Sequence, residues 1–205
     1  MSNTLELMMT NKEIEDAINY CESLRLSVHE IDVPNDNRTR AAGSCFAMAQ
    51  GHHHAIVLLI EERLFASAFA LLRIEFEAYV RGEWLNQCAS NDIVDAFLRG
   101  KEPPKIDCLL TALEMLEPFN EKVLSQIKQK TWKSMCAYTH TGGLHVQRWN
   151  TEDAIEANYS KEEILEVLGF AEIIASLSVI GVARLADNDL LANRTLEALR
   201  TRTKK

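Results

Sequence analysis

The sequence lacks closely spaced cysteine pairs. Its five cysteines are dispersed, odd in number and never arranged as CxxC. A disulfide framework requires paired cysteines, and a zinc site requires clustered ones. This pattern argues against both and indicates reduced, mostly buried thiols in a cytosolic protein. We expect neither a metal nor a cofactor.

Positive charge is also scarce, since 22 Lys and Arg face 30 Asp and Glu for a net charge of −8. Proteins that coat DNA or anionic membranes rely on an excess of positive charge, so the composition argues against both roles. A local basic patch remains compatible with it. The first residues contain no basic region followed by a long apolar run, so no signal peptide is expected.

Long uninterrupted apolar runs are rare, and the segment 165–186 is the closest approach to one. Glu172 lies within it, Arg184 lies near its end, and Gly169 and Gly181 interrupt it. These residues favour a helix buried in a bundle over a membrane span. We expect no membrane association.

Helical patterns fill most of the chain, with no repeat and no convincing strand. Capping boxes begin at Thr10 and Ser160, and Pro103–Pro104 make the clearest break. The residues 144–159 read as a loop with at most one helical turn. We predict helices over residues 11–29, 38–62, 65–88, 90–100, 105–117, 120–139, 160–186 and 190–200.

These elements define an all-α fold. A chain of 205 residues with 47% hydrophobic content is long enough to bury one core. We predict a single helical-bundle domain of seven to eight helices over residues 1–205, with flexible ends at 1–9 and 201–205.

The helix predicted over residues 65–88 is the central one, because its first half is apolar on nearly every side. At about 100° per residue, Arg73, Glu77 and Arg81 share one face, and Glu75 lies opposite. One interpretation is a salt-bridge ladder that lets a buried helix carry charge. The other is a site where an arginine held by a carboxylate binds a phosphate or carboxylate ligand.

A second polar cluster surrounds the glycine turn after the helix 120–139. Histidine is the usual general acid or base near neutral pH, and a glycine turn lets the backbone approach a ligand. Capping or packing is the structural alternative for these histidines. The candidate residues are Tyr138, Thr139, His140, Thr141, His145 and Arg148.

Three other features favour structural interpretations. The rings of His52, His53 and His54 point about 100° apart, so they cannot converge on one metal ion. The lysines of the sixth predicted helix are typical of a solvated face, with RNA contact as the alternative. Trp132 and Trp149 flank the glycine turn and suit either core packing or a pocket wall.

Two stretches of the chain resemble a group of uncharacterised bacterial helical proteins. They are SAFALLRIEFEAYVRGEWL in the central helix and WKSMCAYTHTGGLHVQRW around the turn, about a fifth of the chain together. The pairing of an Arg/Glu helix with a later Tyr-x-His turn is also similar to the wider HEPN-like class. That resemblance implies an all-α homodimer of toxin–antitoxin or phage-defence systems, where many members are metal-independent ribonucleases.

The chain departs from the HEPN ribonuclease motif, in which an arginine precedes a histidine by a few residues on one helix. Arg25 and His29 are closer than that spacing, and Arg148 follows His145. An equivalent site therefore requires the fold to bring Arg73 and Glu77 to His140.

Three hypotheses follow from these patterns. The first is a cytoplasmic ribonuclease in which His140 is the acid/base, Arg73 or Arg81 stabilises phosphorane charge, and Glu77 orients the arginine. The second is a non-catalytic module that binds a nucleotide, a small anion or a protein partner such as an antitoxin. The third is a structural bundle whose charges only pair with each other.

Overall fold

The computed structural model of the protein describes residues 9–203, and nine α-helices form this part of the chain without any strand. The predicted all-α fold is therefore confirmed. Most of the predicted flexible ends, residues 1–8 and 204–205, lie outside the described residues. The helices are α1 Asn11–Ser27, α2 Asn37–Glu61, α3 Phe65–Gln87, α4 Asn91–Leu98, α5 Ile106–Leu113, α6 Val123–Thr139, α7 Gly143–Gln147, α8 Lys161–Leu185 and α9 Asp189–Arg202.

The two predicted capping boxes are present. The Thr10 and Ser160 side chains accept hydrogen bonds from the amides of Glu13 and Glu163, whose carboxylates accept in return from the cap amides. Asp36 adds a third side-chain cap by accepting from the amide of Thr39 at 3.0 Å. These bonds satisfy amides that a helix start otherwise leaves unpaired.

The predicted helices differ from the structure mainly around residues 113–147. α5 ends at Leu113, and a 3-10 turn at Glu117–Phe119 holds Pro118 where its missing N–H costs nothing. α6 begins only at Val123, after a left-handed Lys122. α7 is the one helix that was not among the eight predicted. It forms because Gly142 is extended and its carbonyl accepts from the amides of His145 and Val146.

The centre of the bundle is an antiparallel hairpin of α2 and α3, joined by residues 62–64 and covered by α8. The fully buried Phe46 ring of α2 lies against Gly82 of α3 and Gly181 of α8. A β-carbon at Gly181 would come within 2.5 Å of the ring, and one at Gly82 within 2.7 Å. The absence of side chains at these two positions lets the three helices close on one aromatic ring.

Two titratable groups in this core have unpartnered polar atoms. Neither carboxylate oxygen of Glu75 has a hydrogen-bond partner among the described residues, and burial raises the pKa of this carboxyl well above its usual range. His53 is 1% exposed, and burial lowers the pKa of its imidazole to about 4, with smaller contributions from His54 and Arg202. The expected position of Glu75, opposite the charged face of α3, agrees with this burial.

α8 is the only described helix long and apolar enough to cross a membrane, with a mean hydropathy of 1.9 over its most apolar stretch. In the bundle, 61% of that stretch is buried, as in the core helix of a globular protein. The structure is therefore compatible with a soluble protein.

α9 continues to Arg202, two residues beyond its predicted end. The Arg202 guanidinium donates to Glu172 of α8 and to Asp16 of α1, and it lies 4.4 Å from the ring centroid of Tyr20. These contacts hold the end of α9 against α8 and α1.

Candidate functional site

The end of α6 is docked directly on α3. The Thr139 hydroxyl lies 3.2 Å from the carbonyl oxygen of Ala70 and 2.9 Å from that of Met135, and it can donate to either. The small Ala70 side chain lets α6 approach the backbone of α3. His140 follows immediately as the C-cap residue of α6, so its position is set by this contact.

Arg73 and His140 meet across this junction. Nη1 of Arg73 lies 2.7 Å from Nε2 of His140. A guanidinium group has only donors, so Nε2 accepts, and the imidazole in this contact is neutral with its proton on Nδ1. His140 is exposed. The site therefore holds a histidine whose unprotonated nitrogen faces a positive charge at the surface.

Glu77 holds two arginines from the same helix. Its Oε1 accepts from Nε of Arg73 at 2.8 Å, and its Oε2 lies 3.5 Å from Nη2 of Arg81. The three side chains are only 19–28% exposed. The i,i+4 ladder expected from the sequence is thus present. Because Glu77 engages Nε of Arg73, Nη1 of that arginine is left to contact His140.

Trp132 forms a wall of the site. The Arg73 guanidinium lies 4.7 Å from the centroid of the Trp132 ring, and Nζ of Lys128 lies at the same distance. Lys128 also binds Asp107 of α5 at 2.7 Å. Cation–π contact and the Glu77 bond together fix the plane of the Arg73 guanidinium.

Sequence reasoning had not linked Lys128 or Asp107 to the arginines. Lys128 and Trp132 are spaced i,i+4 on α6, so their common face was readable from the sequence. That this face turns toward Arg73 depends on how α6 packs, and no sequence pattern showed it.

Three further candidates, Tyr138, His145 and Arg148, make contacts away from the Arg73–His140 junction. Tyr138 packs edge-on against Phe69 with ring centroids 5.1 Å apart. The buried His145 ring places Nδ1 2.9 Å from the carbonyl oxygen of Tyr138, to which it can donate. Nε of Arg148 donates to Glu163 at 2.8 Å. The structure therefore gives these residues contacts that anchor α7 and does not bring them to His140.

Thr141 adopts a left-handed conformation, with φ of 53°, and reverses the chain after His140. The amide of the following Gly142 donates back to the carbonyl of Ala137 at 2.7 Å. A β-carbon on Gly142 would lie 2.9 Å from the Ala137 backbone, so this turn requires glycine. The turn holds His140 at the surface.

No cluster of three His, Cys, Asp or Glu side chains suited to a metal ion occurs within residues 9–203. Of the three consecutive histidines, His53 points into the core and His54 is exposed. The chemistry available at the Arg73–His140 junction is instead that of two guanidinium groups and a neutral imidazole.

Residues 46–203 match a protein family described as a family of unknown function, DUF6988. The match covers most of the chain, so this all-α bundle belongs to that family. Its span includes Arg73, Glu77, Arg81 and His140. Neither the curated proteins nor the solved structures contain a match to the chain.

Proposed function

We propose that the protein is a metal-independent endoribonuclease whose site is formed by His140, Arg73 and Glu77, with Arg81 beside them. The observation that carries this proposal is the 2.7 Å contact between Arg73 and His140, which lie 67 residues apart in sequence. It supplies the arginine–histidine pairing that the sequence lacks on any single helix. The HEPN-like resemblance supports the same reading.

The reaction follows from the groups at the junction. A phosphate of RNA draws the N–H groups of Arg73 to its oxygens and thereby frees Nε2 of His140. Nε2 then takes the proton of a ribose 2′-hydroxyl as O2′ bonds to phosphorus and the P–O5′ bond breaks. The leaving O5′ takes a proton from water, and His140 returns its own proton to solvent. The products are a 2′,3′-cyclic phosphate and a 5′-hydroxyl.

The arginines stabilise the charge that develops on phosphorus. Arg73 keeps its contacts with Glu77 and Trp132 while the phosphate replaces His140 as the partner of its N–H groups. Arg81 lies on the same carboxylate and supplies a second guanidinium for the phosphate oxygens. Glu77 touches no substrate in this scheme and acts by positioning.

The test is incubation of purified protein with total bacterial RNA in EDTA. We expect discrete fragments ending in cyclic phosphate, and at least about a 100-fold loss of rate for His140→Ala and for Arg73→Ala. His29→Ala is the matched control, because His29 is exposed and far from the site in sequence. Circular dichroism checks that each variant is folded. Intact RNA with folded wild-type protein would contradict the proposal.

A second candidate function is non-catalytic binding of a phosphate-bearing ligand at the same residues. It is favoured by the shared carboxylate of Glu77, which holds two guanidinium groups close together whether or not His140 takes a proton. Nucleotide binding that survives His140→Ala but not Arg73→Ala, with no RNA cleavage, would select it over the ribonuclease.

We further propose a cytoplasmic homodimer that acts as a toxin or stress effector in phage defence, with an antitoxin as its protein partner. The support is the resemblance described above and the absence of paired cysteines. Light scattering on the purified protein tests the dimer. Toxicity on expression in bacteria, lost in His140→Ala, tests the biological role.

A further inference from the structure

An acidic loop lies at the surface between α7 and α8. Residues 151–156, which we call the acidic loop, contain three exposed carboxylates, those of Glu152, Asp153 and Glu156. The amide of Thr151 donates to the carbonyl of Ala154 at 3.0 Å, and the amide of Ala154 donates to the Thr151 hydroxyl at the same distance. Because these bonds hold the backbone in one conformation, the loop loses little freedom when it binds a partner.

The acidic loop also exposes apolar area. Ile155 is 86% exposed at its centre, and Trp149 is 41% exposed just before it in the chain. A single exposed apolar residue is ordinary, but an isoleucine presented by a hydrogen-bonded loop gains stability when a partner covers it. The loop therefore combines negative charge with an apolar centre.

α6 carries a surface of the opposite charge. Three exposed lysines, which we call the basic face of α6, are Lys122 at its start, Lys130 and Lys133. Lys130 and Lys133 are neighbours on the helix surface, since they are spaced i,i+3. Lys122 precedes Lys133 by 11 residues, which is about three turns. The three ammonium groups therefore share one side of the helix.

The basic face has apolar residues of its own at the start of α6. Val123 is 51% exposed and Met115 is 83% exposed. The Glu114 carboxylate accepts from the amide of Ser125 at 2.9 Å, so the segment that carries Met115 lies against the first turn of α6. Charge and apolar area thus occur together here as they do in the acidic loop.

Neither set of charges is neutralised within the part of the chain that the structure describes. No ion pair there includes any of the three carboxylates or the three lysines. Lys128, also on α6, is instead paired with Asp107. Like charges on one surface repel each other, and a surface of the opposite sign relieves that repulsion. One chain carries both surfaces.

We propose that the acidic loop of one copy binds the basic face of α6 on a second copy, and that the reverse contact forms at the same time. The inference rests on the homodimer proposed above and names its surface. Two-fold symmetry requires such a reciprocal exchange, and the exchange doubles the buried area. Exposed ion pairs stabilise little by themselves, so Ile155, Val123 and Met115 supply most of the affinity while the charges fix the register.

The test uses two charge-reversed variants and sedimentation equilibrium. The loop variant is Glu152→Lys with Glu156→Lys, and the helix variant is Lys130→Glu with Lys133→Glu. We expect the dimer Kd to rise at least about 100-fold in each variant alone, because both contacts then oppose like charges. An equimolar mixture of the two variants should form dimers again. In that heterodimer the reversed loop meets the reversed helix, and the other contact is that of the wild type.

Two further variants separate charge from shape. Ile155→Ala changes no charge and should raise the Kd about tenfold, because less apolar area is buried. Glu61→Lys with Glu62→Lys is the matched control, since both glutamates are exposed at the end of α2 and the change in charge equals that of the loop variant. It should leave the dimer intact. Circular dichroism checks that every variant is folded.

Three results would overturn the proposed surface. Unchanged dimers in the loop and helix variants would reject this surface and keep the homodimer. A mixture that stays monomeric would reject the reciprocal contact. A wild type that is monomeric at about 100 μM would reject both the surface and the homodimer. RNA cleavage is measured separately, so a cleaving monomer would keep the ribonuclease while the surface fails.

Discussion

Arg73 is the most constrained side chain of the candidate site. Its Nε binds Glu77, one Nη binds His140, and the face of its guanidinium lies against Trp132. A lysine at this position could not make all three contacts at once, because its side chain has a single charged nitrogen. In the proposed reaction, Arg73 therefore contacts the phosphate, whereas Glu77 only orients Arg73.

Replacing Glu77 by Gln tests whether Glu77 acts by positioning Arg73. The neutral amide no longer fixes Arg73 by charge, so we expect kcat for RNA cleavage to fall about 10–100-fold, as for other supporting groups. KM should not rise, because the change also removes a negative charge next to bound phosphate. Steady-state kinetics on a short RNA give both constants.

Glu162→Gln is the control for charge alone, since Glu162 is exposed at the start of α8. It should leave kcat unchanged. A rise in KM with unchanged kcat in Glu77→Gln would show that Glu77 contributes to binding and not to positioning.

At the scale of single residues, the sequence identified candidate side chains but did not show that they meet. Helical spacing placed Arg73, Glu77 and Arg81 on one face, and the neighbouring glycine turn made His140 a candidate. Their 2.7 Å contact depends on Thr139 docking against the carbonyl of Ala70, which is a property of how two helices pack. Packing register between distant helices has no local signal in one sequence.

At the scale of helices, the two glycines of α8 should respond in opposite ways to alanine. Gly181→Ala places a β-carbon on the Phe46 ring, and we expect overpacking to cost about 1–3 kcal/mol of unfolding free energy. Gly169→Ala meets no atom within 4 Å, and the gain in helix propensity should add about 1 kcal/mol. Urea denaturation of both variants measures the difference, and equal effects would contradict the assigned role of Phe46.

Glu75 on α3 gives a prediction for pH. Its pKa is raised by burial, so above about pH 4.5 the unfolded chain releases a proton that the folded chain retains. The contribution of Glu75 to stability therefore becomes more unfavourable as pH rises. Glu75→Met removes this penalty, and we expect about 1–3 kcal/mol of added unfolding free energy at pH 7, increasing at higher pH.

Unfolding measured at several pH values checks this expectation. Glu75→Gln keeps the shape but leaves a buried amide without a partner, so it should gain less than Glu75→Met. A destabilised Glu75→Met at neutral pH would show that the carboxyl makes a favourable interaction in the folded state.

Local signals predicted helix starts better than helix ends. The hydroxyl and carboxylate spacing at Thr10 and Ser160 identified two starts correctly, because a capping box is complete within four residues. Residues 144–159 were expected to form a loop with room for one helical turn, because they show no clean helical period. Here Gly142 instead supplies the carbonyl that begins a new helix.

At the scale of the whole molecule, the net charge of −8 limits how RNA can bind. Two or three cations at the site neutralise few phosphates. At about 0.7 per contact for single strands, the slope of log K against log salt should lie between about −1.4 and about −2.1. Fluorescence anisotropy with His140→Ala protein and a labelled RNA measures it. A much steeper slope would place binding on the lysines of α6 instead.

The all-α class was readable from periodicity, whereas the bundle's central arrangement was not. Phe46 looked like one more apolar residue on α2, and the small residues Gly82 and Gly181 are far from it in sequence. Only the fold shows that all three occupy one place. Long-range packing of this kind is the part of the architecture that one sequence does not encode in any local pattern.

The packing of the Phe46 ring against Gly82 and Gly181 has an evolutionary consequence. A relative that carries a shorter side chain at this position gains room for alanine at both glycine positions, whereas a relative that keeps the ring loses stability with either change. Which substitutions are tolerated at each glycine position therefore depends on the residue at position 46. In relatives of this family, alanine at either glycine position should therefore occur together with a side chain smaller than phenylalanine at position 46.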